Sequence, residues 1–138
     1  MEDADITIGK ADALAKIEGE AYQEIESLMQ AADIYVSASH REGSGYALIE
    51  ALACGLPPLV TDIPSFRALT ADGAVGRLWR AGDAQSFADG LLAVAARTDP
   101  AWRAGVRAHF ERELSFAALG RRLGETYRCL IERRGARA

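Results

Sequence analysis

Residues 28–61 read LMQAADIYVSASHREGSGYALIEALACGLPPLVT, and their rhythm changes four times. Ile25, Leu28, Met29 and Ala32 fall at i, i+3, i+4 and i+7, so a helical pattern that opens at Tyr22 runs into the stretch. Asp33 ends it, and residues 34–38 form a short β-rich run. Residues 39–45 are polar, carry two glycines and predict a loop. Residues 46–54 return to helical spacing, with Leu48, Ala51 and Leu52 facing inward. Gly55 then stands where a left-handed residue closes a helix, and Pro57 and Pro58 forbid continuation. Leu59-Val60-Thr61 predicts a second, buried strand.

The pattern continues outward. Residues 64–70 predict one short helical turn, and residues 74–79 a third short strand centred on Leu78. Asp83 is placed to cap a helix over 84–97 with Phe87, Leu91, Val94 and Ala95 on one face. Asp99-Pro100 is an N-cap followed by proline at the first helical position, starting a helix over 101–113. Ser115 caps a last helix, with Phe116, Leu119, Leu123, Tyr127 and Leu130 or Ile131 predicted inward. The first sixteen residues are weakly patterned, with candidate strands at 6–8 and 14–17. Short apolar strands alternating with helices predict an α/β fold: a Rossmann-like parallel sheet flanked by helices. Ligands of such sheets sit at the carboxyl ends of the strands. Residues 39–45 and 62–65 leave the strands at that edge.

Composition sets the bounds. The chain has 138 residues, 49% hydrophobic and 26% charged, which suits one ordinary domain with a real core and excludes a disordered chain. No apolar run approaches the ~20 residues of a membrane span. The start, with Glu2, Asp3 and Asp5, has neither the basic nor the apolar part of a signal peptide. Cys54 and Cys129 form no motif, so both are expected as free thiols in a reducing cytoplasm. The net charge of −4 hides an asymmetry: residues 1–50 carry eleven acids against Lys10, Lys16 and Arg41, whereas residues 51–138 carry nine acids against thirteen arginines. Those arginines recur at helical spacing beside glutamates, which predicts solvated helix faces. Basic residues do not interleave with aromatics as on a nucleic-acid platform, so no nucleic-acid partner is expected.

The chemistry concentrates in Glu42-Gly43-Ser44-Gly45-Tyr46-Ala47-Leu48-Ile49-Glu50. Glycines between a strand and a helix let the backbone approach a ligand, and the N–H groups at the helix start favour an anion, phosphate above all. Gly-Ser-Gly alone equally describes a simple flexible turn. Glu42 lies before the helix and Glu50 about one turn into it, and carboxylates accept hydrogen bonds from the vicinal hydroxyls of sugars. Glu50 read by itself is also an ordinary solvated helix residue. His40 and Arg41 border the loop, where Arg41 either reaches a phosphate or lies on the surface. Tyr46 either stacks on a ring or covers the helix start. Ser44 has no accompanying His–acid pair, Cys54 reads as a small core residue, and His109 has no second metal ligand near it in sequence. Trp79 and Trp102 read as packing residues.

These residues resemble the C-terminal donor-binding domain of retaining GT-B glycosyltransferases of family 4. That family carries Glu-x7-Glu with EG-x-G at its start, here Glu42-Gly43-Ser44-Gly45. The signature ends in E-A-x-A-x-G-x-P, here Glu50 through Pro57, and follows AAD-x-x-V-x-x-S, here Ala31-Ala32-Asp33 with Val36 and Ser39. Asp83 through Arg97 is similar to a helix further on, and the resemblance covers roughly residues 17–130. It implies a nucleotide-diphospho-sugar donor, with Glu42 as the catalytic-site carboxylate on the sugar hydroxyls and Glu50 on the ribose. Gly43, Ser44, Gly45, Tyr46 and Ala47 would form the donor-binding loop, whose amides around Gly45–Ala47 hold the diphosphate. It further implies transfer with retention, of hexosyltransferase type, with no metal or other cofactor.

Departures from the family accompany the match. The family often places Gly-Gly and then Glu after the second strand's Asp, whereas Asp62 is followed here by Ile63-Pro64-Ser65-Phe66-Arg67. Members are much longer, so residues 1–16 are expected as a lead-in and 17–138 as the donor domain. The acceptor, a glycan or lipid, would then be met through an N-terminal domain that these residues do not supply. The alternative expectation is a non-catalytic fragment or interaction module that keeps only the fold, with self-association through faces the missing half would cover. A phosphorylase-like or epimerase-like GT-B protein fits the signature less well. The expected location is cytoplasmic, with a peripheral membrane position as its variant.

Overall fold

A computed structural model describes residues 23–97 and 99–135. The chain divides after Ala32 into two compact units. In the first, residues 23–31 are helical (α1), and the N–H of Ala32 closes the last turn on the Leu28 carbonyl at 3.0 Å. Met29 and Ala32 of the expected stripe are half-buried, while Ile25 and Leu28 are exposed. The strands suggested at 6–8 and 14–17 lie outside the described residues.

The second unit is built on three parallel strands, β1 (Tyr35–Ser37), β2 (Pro58–Thr61) and β3 (Arg77–Trp79), in that spatial order. Val36 sits opposite Leu59, and Val60 opposite Leu78. The central β2 is buried along its whole length, as an apolar run without alternation requires. Successive side chains of a strand point to opposite faces. Val60 therefore joins one cluster with Leu48, Leu52, Ile63, Phe66 and Val106, while Leu59 joins another with Trp79 and Val94.

Among the described residues this unit carries five α-helices: α2 (Tyr46–Ala53), α3 (Pro64–Leu69), α4 (Ala84–Ala95), α5 (Pro100–His109) and α6 (Phe116–Gly135). Local chemistry sets their ends. Gly55 takes φ 67 after α2, and a Cβ there would stand 2.9 Å from the Arg103 carbonyl oxygen, so the site excludes a side chain as well as favouring glycine. Arg107 donates to the Ala53 carbonyl, satisfying one of the acceptors left at the end of α2. Asp83 accepts from the Ser86 N–H at 2.9 Å and Asp99 from the Trp102 N–H at 2.8 Å, as N-caps should. On the Leu59 face Trp79 meets Phe87 edge to face at 5.2 Å. There α4 turns Phe87, Leu91, Gly90 and Val94 towards the sheet; Ala95, expected among them, is exposed.

Two expectations are corrected near the C-terminus. The helix expected over 101–113 stops being α-helical at His109, and Phe110–Leu114 form one π-helical turn. Val106, Phe110 and Leu114 are spaced by four, which overshoots an α-helical turn. The wider turn cancels that drift, so Phe110 and Leu114 still pack against the Val106 cluster. The second correction is larger. Ser115 caps α6 as expected, its Oγ accepting from the Ala118 N–H at 3.1 Å. Yet Phe116, Leu119, Leu123 and Tyr127, predicted inward together with Leu130 or Ile131, are exposed, as are both Leu130 and Ile131, and the buried residue of the helix is Ala118. The helix rests on the π-helical turn through the face opposite its apolar stripe.

Candidate functional site

The site forms where β1 and β2 hand the chain to α2 and α3. Buried Thr61, the last residue of β2, donates its hydroxyl to the Ser39 carbonyl at 2.5 Å, tying the β1–α2 loop to the end of the central strand. The loop closes at Gly45, which adopts φ 66, ψ 28. A side chain there would meet Leu69 Cδ1 at 2.6 Å, because α3 packs directly behind the loop with Phe66 and Leu69. Glycine is thus required by the left-handed backbone and by the close approach together.

Glu42 folds back over this turn. Its Oε1 accepts from the N–H of Gly43 at 3.1 Å and of Gly45 at 3.2 Å. Helix α2 begins directly afterwards with no side chain capping it and no acid in its first turn. The N–H groups of Tyr46 and Ala47 therefore head the helix dipole in the manner of an anion-binding start. Gly43, Ser44, Tyr46, Ala47 and Glu50 are exposed, and Glu42 is half-buried.

Tyr35, on β1, lies within the electrostatic reach of both carboxylates. Burial pushes its phenol above the ordinary range, the charges of Glu42 and Glu50 push it further, and a hydrogen bond with Ser37 opposes them. Two residues eight positions apart thus act on one group.

A cleft of about 450 Å³ opens beside Glu42, lined by His40 and Arg41 from one loop and Ile63, Pro64 and Ser65 from the other. The two loops expected at the carboxyl edge do meet. Asp62 is engaged elsewhere: Arg67 binds it through Nε at 2.5 Å and Nη2 at 2.6 Å, and also lies 3.5 Å from Asp72. The Ile63–Phe66 departure from the family pattern buries Ile63 and Phe66 beneath the loop.

The remaining candidates are placed as follows. His109 is buried, and its Nε2 lies 2.9 Å from the Leu69 carbonyl oxygen, a structural bond that ties α5 to the end of α3. Cys54 is half-buried and Cys129 exposed, and neither is in a disulfide. Trp79 donates to the Ser37 carbonyl at 3.3 Å, and Arg97 stacks over Trp102 at 4.4 Å. Among the described residues no three His, Cys, Asp or Glu side chains are grouped as metal ligands. Nor is any helix among them long and apolar enough to cross a membrane.

A parallel sheet with an uncapped helix start, a glycine turn and a carboxylate-edged cleft at its carboxyl edge defines a Rossmann-like α/β domain. The profile of the family described as glycosyl transferases group 1 matches residues 11–104, and the chain belongs to that family. A phosphatidyl-myo-inositol mannosyltransferase of Mycobacterium leprae is 40% identical over 67 residues, 48% of this chain and 18% of its own length. A D-inositol 3-phosphate glycosyltransferase of Nocardia farcinica is 33% identical over 118 residues, 84% of this chain and 26% of its own. Among solved structures, sucrose-phosphate synthase from Thermosynechococcus elongatus superposes with a TM-score of 0.61 at 27% identity, over 76% of this chain and 27% of that one. The fold is that of a GT-B glycosyltransferase domain. The chain spans less than a third of the length of each of these relatives.

Proposed function

We propose that residues 17–138 form the donor-binding domain of a retaining glycosyltransferase and take a nucleotide-diphospho-sugar at the carboxyl edge of the sheet. The observation that carries this reading is the uncapped start of α2 directly after the Glu42-bound glycine turn. The donor's diphosphate would lie on the N–H groups of Tyr46 and Ala47, with Gly45 setting the turn and its N–H retained by Glu42. Gly43 and Ser44 would border the sugar. Glu42 Oε2 would accept from a sugar hydroxyl, holding the ring while charge develops towards the leaving phosphate. Glu50 would accept from the ribose hydroxyls. The helix start stabilises the departing diphosphate electrostatically, so the reading requires no metal or other cofactor.

The relatives' names give the setting for an acceptor. They include a phosphatidyl-myo-inositol mannosyltransferase and a GDP-mannose:cellobiosyl-diphosphopolyprenol alpha-mannosyltransferase from Xanthomonas campestris. An acceptor hydroxyl on a glycan or lipid, met on parts of the relatives that this chain does not match, completes the proposed reaction in the cytoplasm. The test is calorimetric titration of UDP, GDP and ADP, and of their sugars, into the wild-type chain and Glu50→Ala. Loss of a charge-assisted hydrogen bond of about 1.5–3 kcal/mol predicts binding weakened roughly ten- to a hundredfold in the variant. Absence of binding by every nucleotide at millimolar concentration would reject the donor site. Binding without transfer or hydrolysis would identify a non-catalytic module that keeps the site.

A further inference from the structure

Helix α3 has six residues, too few to be stable through its own hydrogen bonds, yet both sides of the cleft depend on it. Its Phe66 and Leu69 back the Gly45 turn, where Leu69 Cδ1 leaves no room for a Cβ. Its start supplies the cleft wall of Ile63, Pro64 and Ser65. Ile63 and Phe66 are buried, which sets how deep the segment sits. Pro64 is exposed and Ser65 half-buried, so burial alone does not hold this part of the wall.

Arg67, in the second half of α3, ties the two flanks of the helix together. Its Nε and Nη2 form a fork on Asp62, at 2.5 and 2.6 Å, and its Nη1 lies 3.5 Å from Asp72 Oδ1. Asp62 stands immediately before the wall and Asp72 shortly after the helix, so one guanidinium brackets the whole segment. The backbone is bracketed as well. The Arg67 N–H donates to the Ile63 carbonyl at 2.9 Å, and the Arg67 carbonyl accepts from the Asp72 N–H at 2.8 Å. The turn that carries Asp72 back beside Arg67 is strained: Ala71 and Asp72 take φ 50 and φ 54, two consecutive non-glycine residues in the left-handed region. Such a backbone persists only where its surroundings enforce it. An exposed ion pair between flexible side chains commonly contributes little. A planar fork on one carboxylate, with a second carboxylate turned in towards it, is the arrangement that arginine geometry favours.

We propose that Arg67, through Asp62 and Asp72, is a positioning residue of the cleft: it holds the Ile63–Pro64–Ser65 wall in place beside Glu42, so that the two loops grip the sugar end of the donor. This role rests on the donor site proposed above. The diphosphate end depends on the clasp less, because the Gly45 turn is also held by Glu42 and by the Thr61–Ser39 bond. The test is calorimetric titration of UDP, GDP and ADP, and of their sugars, into the full chain as wild type, Asp62→Asn, Arg67→Gln, the double variant and Arg67→Lys. Each of Asp62→Asn and Arg67→Gln should weaken the nucleotide sugar about tenfold, the size of one hydrogen bond lost, and the sugar-free nucleotide by less than about twofold. The double variant should be no weaker than either single one, as one shared interaction requires. Arg67→Lys keeps the charge without the fork and should fall between. Amide hydrogen exchange should quicken across residues 62–69 in the variants and hold steady across 46–60. A merely structural loss would weaken both ligands together; that result, an unmoved ratio of sugar to nucleotide affinity, or unchanged exchange at 62–69 would overturn the proposal. A wild type that binds no nucleotide rejects the donor site itself, and the clasp's role with it. Wild-type binding with an unmoved ratio in the variants rejects the clasp's role alone. Should Arg67→Gln fail to fold, Asp62→Asn removes the same fork.

Discussion

Helices α2 and α6 are both amphipathic, and they end in opposite states. The eight residues of α2 place Leu48, Ala51 and Leu52 at zero exposure, wedged between the sheet and α5. The twenty residues of α6 bury Ala118 and leave every large apolar side chain in contact with solvent. The difference teaches that periodicity determines which face of a helix is apolar, whereas burial needs a surface to receive that face. In α2 the receiving surface is built by the same short stretch of chain, from β2 and the Ile63–Phe66 segment. For α6 the described residues supply chiefly the π-helical turn, and on the wrong side.

The largest expected effect breaks this comparison if it is misconceived. Leu52→Ala should lower the unfolding free energy by about 3 kcal/mol, the cost of a cavity in a packed core. Leu123→Ala, with the same atoms removed, should change it by less than about 0.5 kcal/mol. Urea denaturation of the full chain measures both. Similar losses at the two positions would mean that α6 is covered in solution.

The two halves also differ in how far the residues alone disclosed them. Asp83, Asp99, Ser115 and Gly55 announced the helix ends correctly because a cap is a local bargain between a side chain and the nearest backbone groups. The buried β2 was legible in Leu59-Val60-Thr61 because an apolar run between turn residues has few other uses. The π-helical turn was not, since spacings of four at Val106, Phe110 and Leu114 suit an α-helix nearly as well. At the candidate site, the loop and its edge of the sheet could be read from Gly43, Gly45 and the strand before them. The folding of Glu42 onto the amides of its own loop could not, and neither could the shared influence of Glu42 and Glu50 on Tyr35. Both arise from tertiary placement, which no spacing encodes.

A smaller effect is expected at the joint between the packed half and α6. His109 donates from Nε2 to the Leu69 carbonyl immediately before the π-helical turn that carries α6. His109→Leu keeps the bulk and removes the donor. Leaving the carbonyl buried and unpaired should cost about 2 kcal/mol in the same urea measurement. A negligible loss would show that water reaches this joint and that α6 is loosely seated from its root.

The smallest expected effect bears on the other side of the comparison, the edge built by β1 and α2. The Tyr35 phenol ionises above its ordinary range, through burial first and then through the charges of Glu42 and Glu50. A folded-state value raised above the unfolded one means that folding favours the neutral phenol. That contribution is complete below about pH 10 and is lost as pH rises through the folded value. Tyr35→Phe should therefore flatten the alkaline decline in stability. Glu50→Gln removes one of the two charges opposing the phenolate, so the Tyr35 transition should move towards lower pH, and Glu42→Gln should move it the same way. Tyrosinate absorbance follows the transition, and the Tyr35→Phe difference separates it from the other tyrosines. Glu50 is exposed, so Glu50→Gln should leave the core intact and isolate the electrostatic effect. A Tyr35 transition that ignores Glu50→Gln but follows Glu42→Gln would separate the two carboxylates. The ribose role proposed for Glu50 would then lose its structural support, while the glycine turn and Glu42 would keep theirs.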